Sequence, residues 1–193
     1  MINKSDFEAM RKEMSSFDEL REKIIIRSRK VLQLSKACIY NLHRQDSQQA
    51  KKEIEQAKKE IEDIRSLVKK DEKASDIGAF HEATEEFAEA YCYYSWLTNK
   101  TLPTRKDLGV ETEAYLAGLS DLIGELVRKA INDGIKGNFK SAEEIKDFAS
   151  EIYAELMLFD FKNGNLRKKF DSIKYSIEKL EDTVFNLKLK DKL

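Results

Sequence analysis

Apolar residues recur three and four positions apart along nearly the whole chain, the spacing of one helix face. Phe17, Leu20, Ile24, Val31, Leu34 and Cys38 form a first stripe, flanked by Ile25, Leu32, Ile39 and Leu42. They predict a helix running to about His43. Ser16-x-x-Glu19 reads as a capping box at its main start, with Ser5-Asp6 opening an earlier piece. Two stripes on one helix imply two contacts, the core and a neighbouring subunit. From Ser47 to about Lys70 the seam is narrow: Ala50, Ile54, Ala57, Ile61, Ile64 and Val68, with Lys, Glu and Asp elsewhere. After a break at Ser75–Gly78 comes a helix from Ile77 to Leu97, with Phe80, Ala83, Phe87, Ala90, Tyr91 and Tyr94 on one side.

Asn99 to Gly109 reads as the main loop and contains Pro103. Glu111 opens the most apolar helix, which ends near Asp133-Gly134. Ser141-x-x-Glu144 reads as a second capping box, before a helix bearing Phe148, Ile152, Leu156 and Phe159. Lys162 to Asn165 is a helix-stopping turn. The last helix, Leu166 to about Leu187, precedes a charged tail from Lys188 to Leu193.

Composition narrows the class. One Pro and seven Gly, none of them in the first 77 residues, argue for an all-α protein of long helices. A chain of 193 residues suits one core, so residues 1–193 are expected to be a single domain. Charged residues make up 37%, yet the net charge is -1, so a nucleic-acid site must be a local patch. Cys38 and Cys92 form no C-x-x-C, which points to a reducing compartment. MINKSDFEAM has no apolar signal region and no 18-residue apolar run occurs, so a cytoplasmic protein without a membrane partner is expected.

The candidate chemistry is carboxylate chemistry. Asp121 and Glu125 interrupt the apolar stripe Leu116, Leu119, Ile123, Leu126, Ala130 one turn apart. Their repulsion is offset by a metal ion, by a basic partner such as Arg128, or by water, and spacing alone leaves these open. Glu82, Glu85, Glu86 and Glu89 share a face of the Ile77–Leu97 helix with no Lys or Arg within a turn. An acidic outer face is the plain alternative. His81 lacks a histidine four residues on, so no H-E-x-x-H exists; P-loop, G-x-G-x-x-G and Glu-x-x-His patterns are also absent. If the two acidic helices pack side by side, three or four carboxylates converge. Hard oxygen donors of that kind suit Mg²⁺ or Mn²⁺ and hydrolysis of a phosphoester or pyrophosphate.

Several motifs resemble the translin superfamily and its TRAX (translin-associated factor X) branch. Ser28-Arg29 and Ser35-Lys36-x-x-Ile39-x-x-Leu42-His43-Arg44 are similar to the first TRAX helix. Phe80-x-Glu82-x-x-Glu85 is similar, with a displacement, to its acidic helix. Tyr115-Leu116-x-Gly118-x-x-Asp121-Leu-x-Gly124-Glu125-Leu-x-Arg128 is the most specific match. Asn165 to Tyr175 looks instead like translin. The likeness runs from about Arg21 to Lys188. It implies a seven-helix bundle of long antiparallel helices and a hollow homo-octamer in a single-gene, archaeal-type protein. It also implies binding of single-stranded RNA and single-stranded DNA, and Mg²⁺- or Mn²⁺-dependent endoribonuclease activity.

By motif, Glu82, Glu85 and Asp121 would be the catalytic and metal-holding acids, with Glu125 as ligand, neighbour or general base. Arg29, Lys36 and Arg128 would contact RNA phosphates, the alternative for each being an ordinary salt bridge. Two other functions stay open: a non-catalytic RNA- or single-stranded-DNA-binding shell, and an all-α nucleoside triphosphate pyrophosphatase suggested by Glu85-Glu86-x-x-Glu89. The second lacks the matching E-x-x-D helix.

Overall fold

A computed structural model describes residues 2–190, with the backbone alone at Lys190, and all regular structure among them is helical. The helices are α1 (Lys4–His43), α2 (Ser47–Val68), α3 (Gly78–Asn99), α4 (Arg105–Leu108), α5 (Thr112–Ile135), α6 (Phe139–Leu156) and α7 (Asn165–Lys190), with a 3₁₀ turn at Glu72–Asp76. The seven-helix architecture agrees with the expected all-α bundle. The end of the expected tail, residues 191–193, lies outside the described residues.

The two Ser-x-x-Glu patterns are not the helix starts. α1 begins at Lys4, where the Asn3 side chain accepts from the Asp6 amide, and continues through Ser16 without a break. α6 begins at Phe139, capped by Asn138 accepting from the Ser141 amide. In a Glu-rich helix the pattern recurs without capping anything. The capping box that forms is Thr104 with Asp107, at the short α4. Residues 2–16 are all exposed and the first buried α1 side chain is Ile24, so α1 starts well outside the body.

One continuous core joins all the long helices. The α2 seam of Ala50, Ile54, Ala57, Ile61 and Ile64 is buried as its spacing requires. It packs on α1, and charge seals the edge. Arg27 donates to Glu60 (2.6 Å) and Asp63 (2.8 Å), and Lys30 donates to Glu60 (2.5 Å). α3 lies against both α1 and α5 and is buried on most of its circumference, including Thr84, Phe87, Ala88, Glu89, Cys92, Tyr93 and Trp96. Its acidic side is therefore not an outer face from Glu85 to Glu89, while Glu82 stays exposed. Burial pushes the thiols of Cys38 and Cys92 up to about 12, so neither is a ready nucleophile.

The antiparallel order holds for some neighbours only. Arg27–Asp63 with Asn41–Glu53 makes α1 and α2 antiparallel, and Tyr153–Phe170 with Lys188–Glu143 does the same for α6 and α7. Lys36–Glu86 with His43–Tyr93 makes α1 and α3 parallel, as Asp121–Lys169 with Gly134–Leu187 does for α5 and α7. The connection from Lys100 to Glu111 brings the chain back along α3, so that α5 runs in the same direction. The connection, with α4 inside it, covers the length of the 22-residue α3, roughly 33 Å. Its return end is held by Arg65, whose guanidinium donates to the Leu108 carbonyl at 2.8 Å. Gly109 (φ 59°) lies over that guanidinium; a Cβ there would sit 2.2 Å from an Arg65 nitrogen.

Candidate functional site

α5 meets α3 at Gly118. A Cβ at Gly118 would stand 2.8 Å from the Glu85 carbonyl oxygen, 2.8 Å from the Glu89 amide nitrogen and 2.9 Å from the Ala88 Cβ. The missing side chain lets two helix backbones touch, and the residues on either side of that contact are acids. Asp121 lies three residues beyond Gly118 and Glu125 seven, one and two turns along the same face. Facing them are Glu85, Glu86 and Glu89.

Glu89 is the most enclosed of the group, with 7% of its surface exposed. Burial first, and then the charges of Glu86, Asp121 and Glu125, push its carboxyl up to about 9; Lys169 pulls against them. Glu89 therefore carries a proton at neutral pH. Burial likewise holds Glu86 above the ordinary carboxylate range, opposed by Lys36, whose ammonium is 3.8 Å away. The cluster contains more acid than its surroundings let ionise.

Two cations come from other helices. Lys169 of α7 donates to Asp121 at 2.5 Å and to Glu85 at 2.9 Å, bridging α5 and α3. Burial works against its charge, but the hydrogen bonds to Asp121 and Glu85 outweigh it and hold the ammonium above its ordinary value. Lys36 of α1 supplies the second. At the other end, the His43 side chain is 5% exposed and its Nε2 faces Glu125 Oε2. An ionised carboxylate can only accept, so Nε2–H donates to it, and Nδ1 accepts from the Tyr93 hydroxyl at 3.4 Å. Arg128 reaches the same Glu125 oxygen at 3.8 Å.

The expected site residues separate accordingly. Glu85, Asp121 and Glu125 enter the cluster. Glu82 does not: it is exposed, one turn before the α3–α5 contact, and lines a groove of ≈ 640 Å³ with Arg21, Arg29 and Lys73. Lys36 and Arg128 are paired with acids of the cluster, and Arg29 lies in the Glu82 groove. Glu86, Glu89, Lys169 and His43 are the members that were not predicted as site residues. Glu86 and Glu89 were visible as part of the acidic stripe; Lys169 and His43 had no local signal, because their partners are 48 and 82 residues away.

The donor chemistry fits a hard divalent cation: several carboxylates, no thiolate, and an acid that burial, aided by neighbouring negative charge, keeps protonated. The arrangement itself is closed, because among the described residues no three His, Cys, Asp or Glu side chains stand close enough to share an ion. The cation that joins Glu85 to Asp121 is the lysine.

Comparison with known proteins agrees with this picture of the fold. The crystal structure of apo-NeC3PO superposes with a TM-score of 0.87 at 28% identity, covering 97% of this chain and 98% of that one. AfC3PO in its duplex RNA complex gives 0.87 at 26% identity, covering 96% and 97%. In sequence, an uncharacterised protein of Methanocaldococcus jannaschii is 28% identical over 194 residues, 93% of this chain and 83% of that protein. Translin of Gallus gallus is 32% identical over 109 residues, 49% of this chain and only 48% of the chicken protein. Translin-associated protein X of Rattus norvegicus is 24% identical over 226 residues, 95% of this chain and 78% of the rat protein. Residues 19–191 match the Translin family model, and the chain belongs to that family.

Proposed function

We propose that this protein binds RNA and cleaves it as a Mg²⁺- or Mn²⁺-dependent endoribonuclease, with Glu85, Glu86, Glu89 and Asp121 as the cation's donors and Glu125 as the general base beside them. The observation that carries the reading is Glu89: its carboxyl lies buried among acids, and burial first and their charge second keep it protonated, which marks a donor set short of positive charge. A divalent cation held there would stabilise charge at phosphorus and activate water. The chain's own residues supply orientation. His43 and Arg128 both hold Oε2 of Glu125, which leaves Oε1 to take a proton from attacking water. Lys36 and Arg128 stand at the rim of the cluster and are placed to meet RNA phosphates, and Arg29 with Arg21 extends the basic surface along the neighbouring groove. AfC3PO, which shares this fold, has been solved with duplex RNA. The substrate we propose is single-stranded RNA, enclosed by a homo-octamer.

A second reading, an RNA-binding protein that does not cut, is favoured by the Lys169 bridge, which already pairs Glu85 and Asp121 with a cation. End-labelled single-stranded and duplex RNA, incubated with Mn²⁺ or with chelator, separate the two. The enzyme reading expects Mn²⁺-dependent cuts, lost about a hundredfold or more in D121N and E125Q while RNA binding persists. RNA retention by the wild type without cleavage in Mn²⁺ decides for the second reading. Light scattering tests the shell: a monomeric mass rules it out.

A further inference from the structure

Lys169 stands where the proposed metal would bind, so the role assigned to it here rests on the metal-dependent reading above. Its ammonium lies 2.5 Å from a carboxylate oxygen of α5 and 2.9 Å from one of α3, and it is the only group among the described residues that hydrogen-bonds to both. A divalent cation ligated by Glu85 and Asp121 would sit roughly 2.1 Å from the same two oxygens, which is the same point within about an ångström. Two cations cannot share it, because each would lose the negative charge that holds it and meet the other at contact distance. The lysine is able to leave. It is on the second turn of α7, its side chain is 29% exposed, and its flexible four-carbon stem needs no backbone movement to reach water.

We infer that Lys169 is the resident counter-ion of the acid cluster and that Lys169 and a divalent cation exclude one another there. Without metal, the ammonium holds α3, α5 and α7 together at a point where the acids alone would repel. When a cation binds Asp121, the ammonium swings out beside the site, one positive charge nearer to any RNA phosphate lying over it. Metal affinity is then set as much by the lysine that must leave as by the acids that remain.

The test compares Mn²⁺ binding to the wild type, K169Q and D121N by titration calorimetry, beside reductive methylation of the wild type read by mass spectrometry. Exclusion expects K169Q to bind Mn²⁺ at least tenfold more tightly than the wild type, with the heat abolished in D121N. It also expects Lys169 of the wild type to be slow to methylate without metal and several-fold faster once Mn²⁺ saturates. The methylation arm uses the unaltered protein, so it decides the question even if K169Q fails to fold. Equal or weaker binding by K169Q, or Mn²⁺ binding that leaves Lys169 as protected as before, overturns the exclusion while leaving the metal reading intact. Binding by K169Q with none by the wild type supports exclusion and overturns the metal-dependent enzyme. No binding by either protein overturns both.

Discussion

Gly118 sets the distance between the two acidic helices, and Gly118→Ala measures how strictly. The new methyl would meet the Glu85 carbonyl oxygen and the Glu89 amide nitrogen at 2.8 Å and the Ala88 Cβ at 2.9 Å. Ordinary contact is roughly 3.5 Å, so α3 and α5 must part by about 0.7 Å. None of the three atoms can rotate away, since two are backbone and the third is the Cβ of a buried alanine. Such overpacking costs about 1–3 kcal/mol, against about 1 kcal/mol regained because alanine favours a helix over glycine. The expected net loss is up to about 2 kcal/mol, or up to several degrees in Tm for a chain of this size. Gly124, two turns on in the same helix, is the internal control. A Cβ there meets nothing within 4 Å, so Gly124→Ala keeps the helix gain and stabilises by about 1 kcal/mol. Urea unfolding followed by circular dichroism at 222 nm reads both. Opposite signs are required; a G118A midpoint at or above that of the wild type would show that the two backbones are not in contact and that the cluster is not held by their approach.

Two further variants test the site's electrostatics and its anchoring. Glu89 holds its proton up to about pH 9 in the folded state, against an ordinary value of 4.5, so between these the folded chain binds a proton that the unfolded chain has released. Stability is therefore fully retained below pH 4.5 and declines as pH rises through about 9, by at most about 1.4 kcal/mol per pH unit. Glu89→Gln removes the dependence, so its stability relative to the wild type should grow from pH 5 to pH 8; parallel urea midpoints across that range would contradict the protonated Glu89. His43→Phe leaves the Tyr93 hydroxyl and Glu125 without their buried partner and should cost about 1–3 kcal/mol in the same assay, whereas a neutral result would mean that the Tyr93–His43–Glu125 chain holds nothing.

Local pattern accounts for most of the helices and little of the site. The α2 seam and the α5 stripe were legible because burial on one face repeats every turn, and the sequence shows the repeat. The helix ends were less so: Ser16 and Ser141 carry the pattern of a cap, but Asn3 and Asn138 do the capping.

By itself the sequence determined an all-α chain and the presence of acids on the faces of two helices, both of which follow from spacing along a single helix, and its motifs carried the family resemblance. Among Glu82, Glu85, Glu86 and Glu89, periodicity treats every acid alike. Only the crossing at Gly118 selects Glu89 for burial and leaves Glu82 in the outer groove. The same holds for the cations. Lys169 reaches Glu85 across 84 positions and His43 reaches Glu125 across 82, from helices that the long α3–α5 connection sets parallel. Tertiary structure alone decided those pairings, because they depend on how helices are laid against one another, and no repeat within a helix records that.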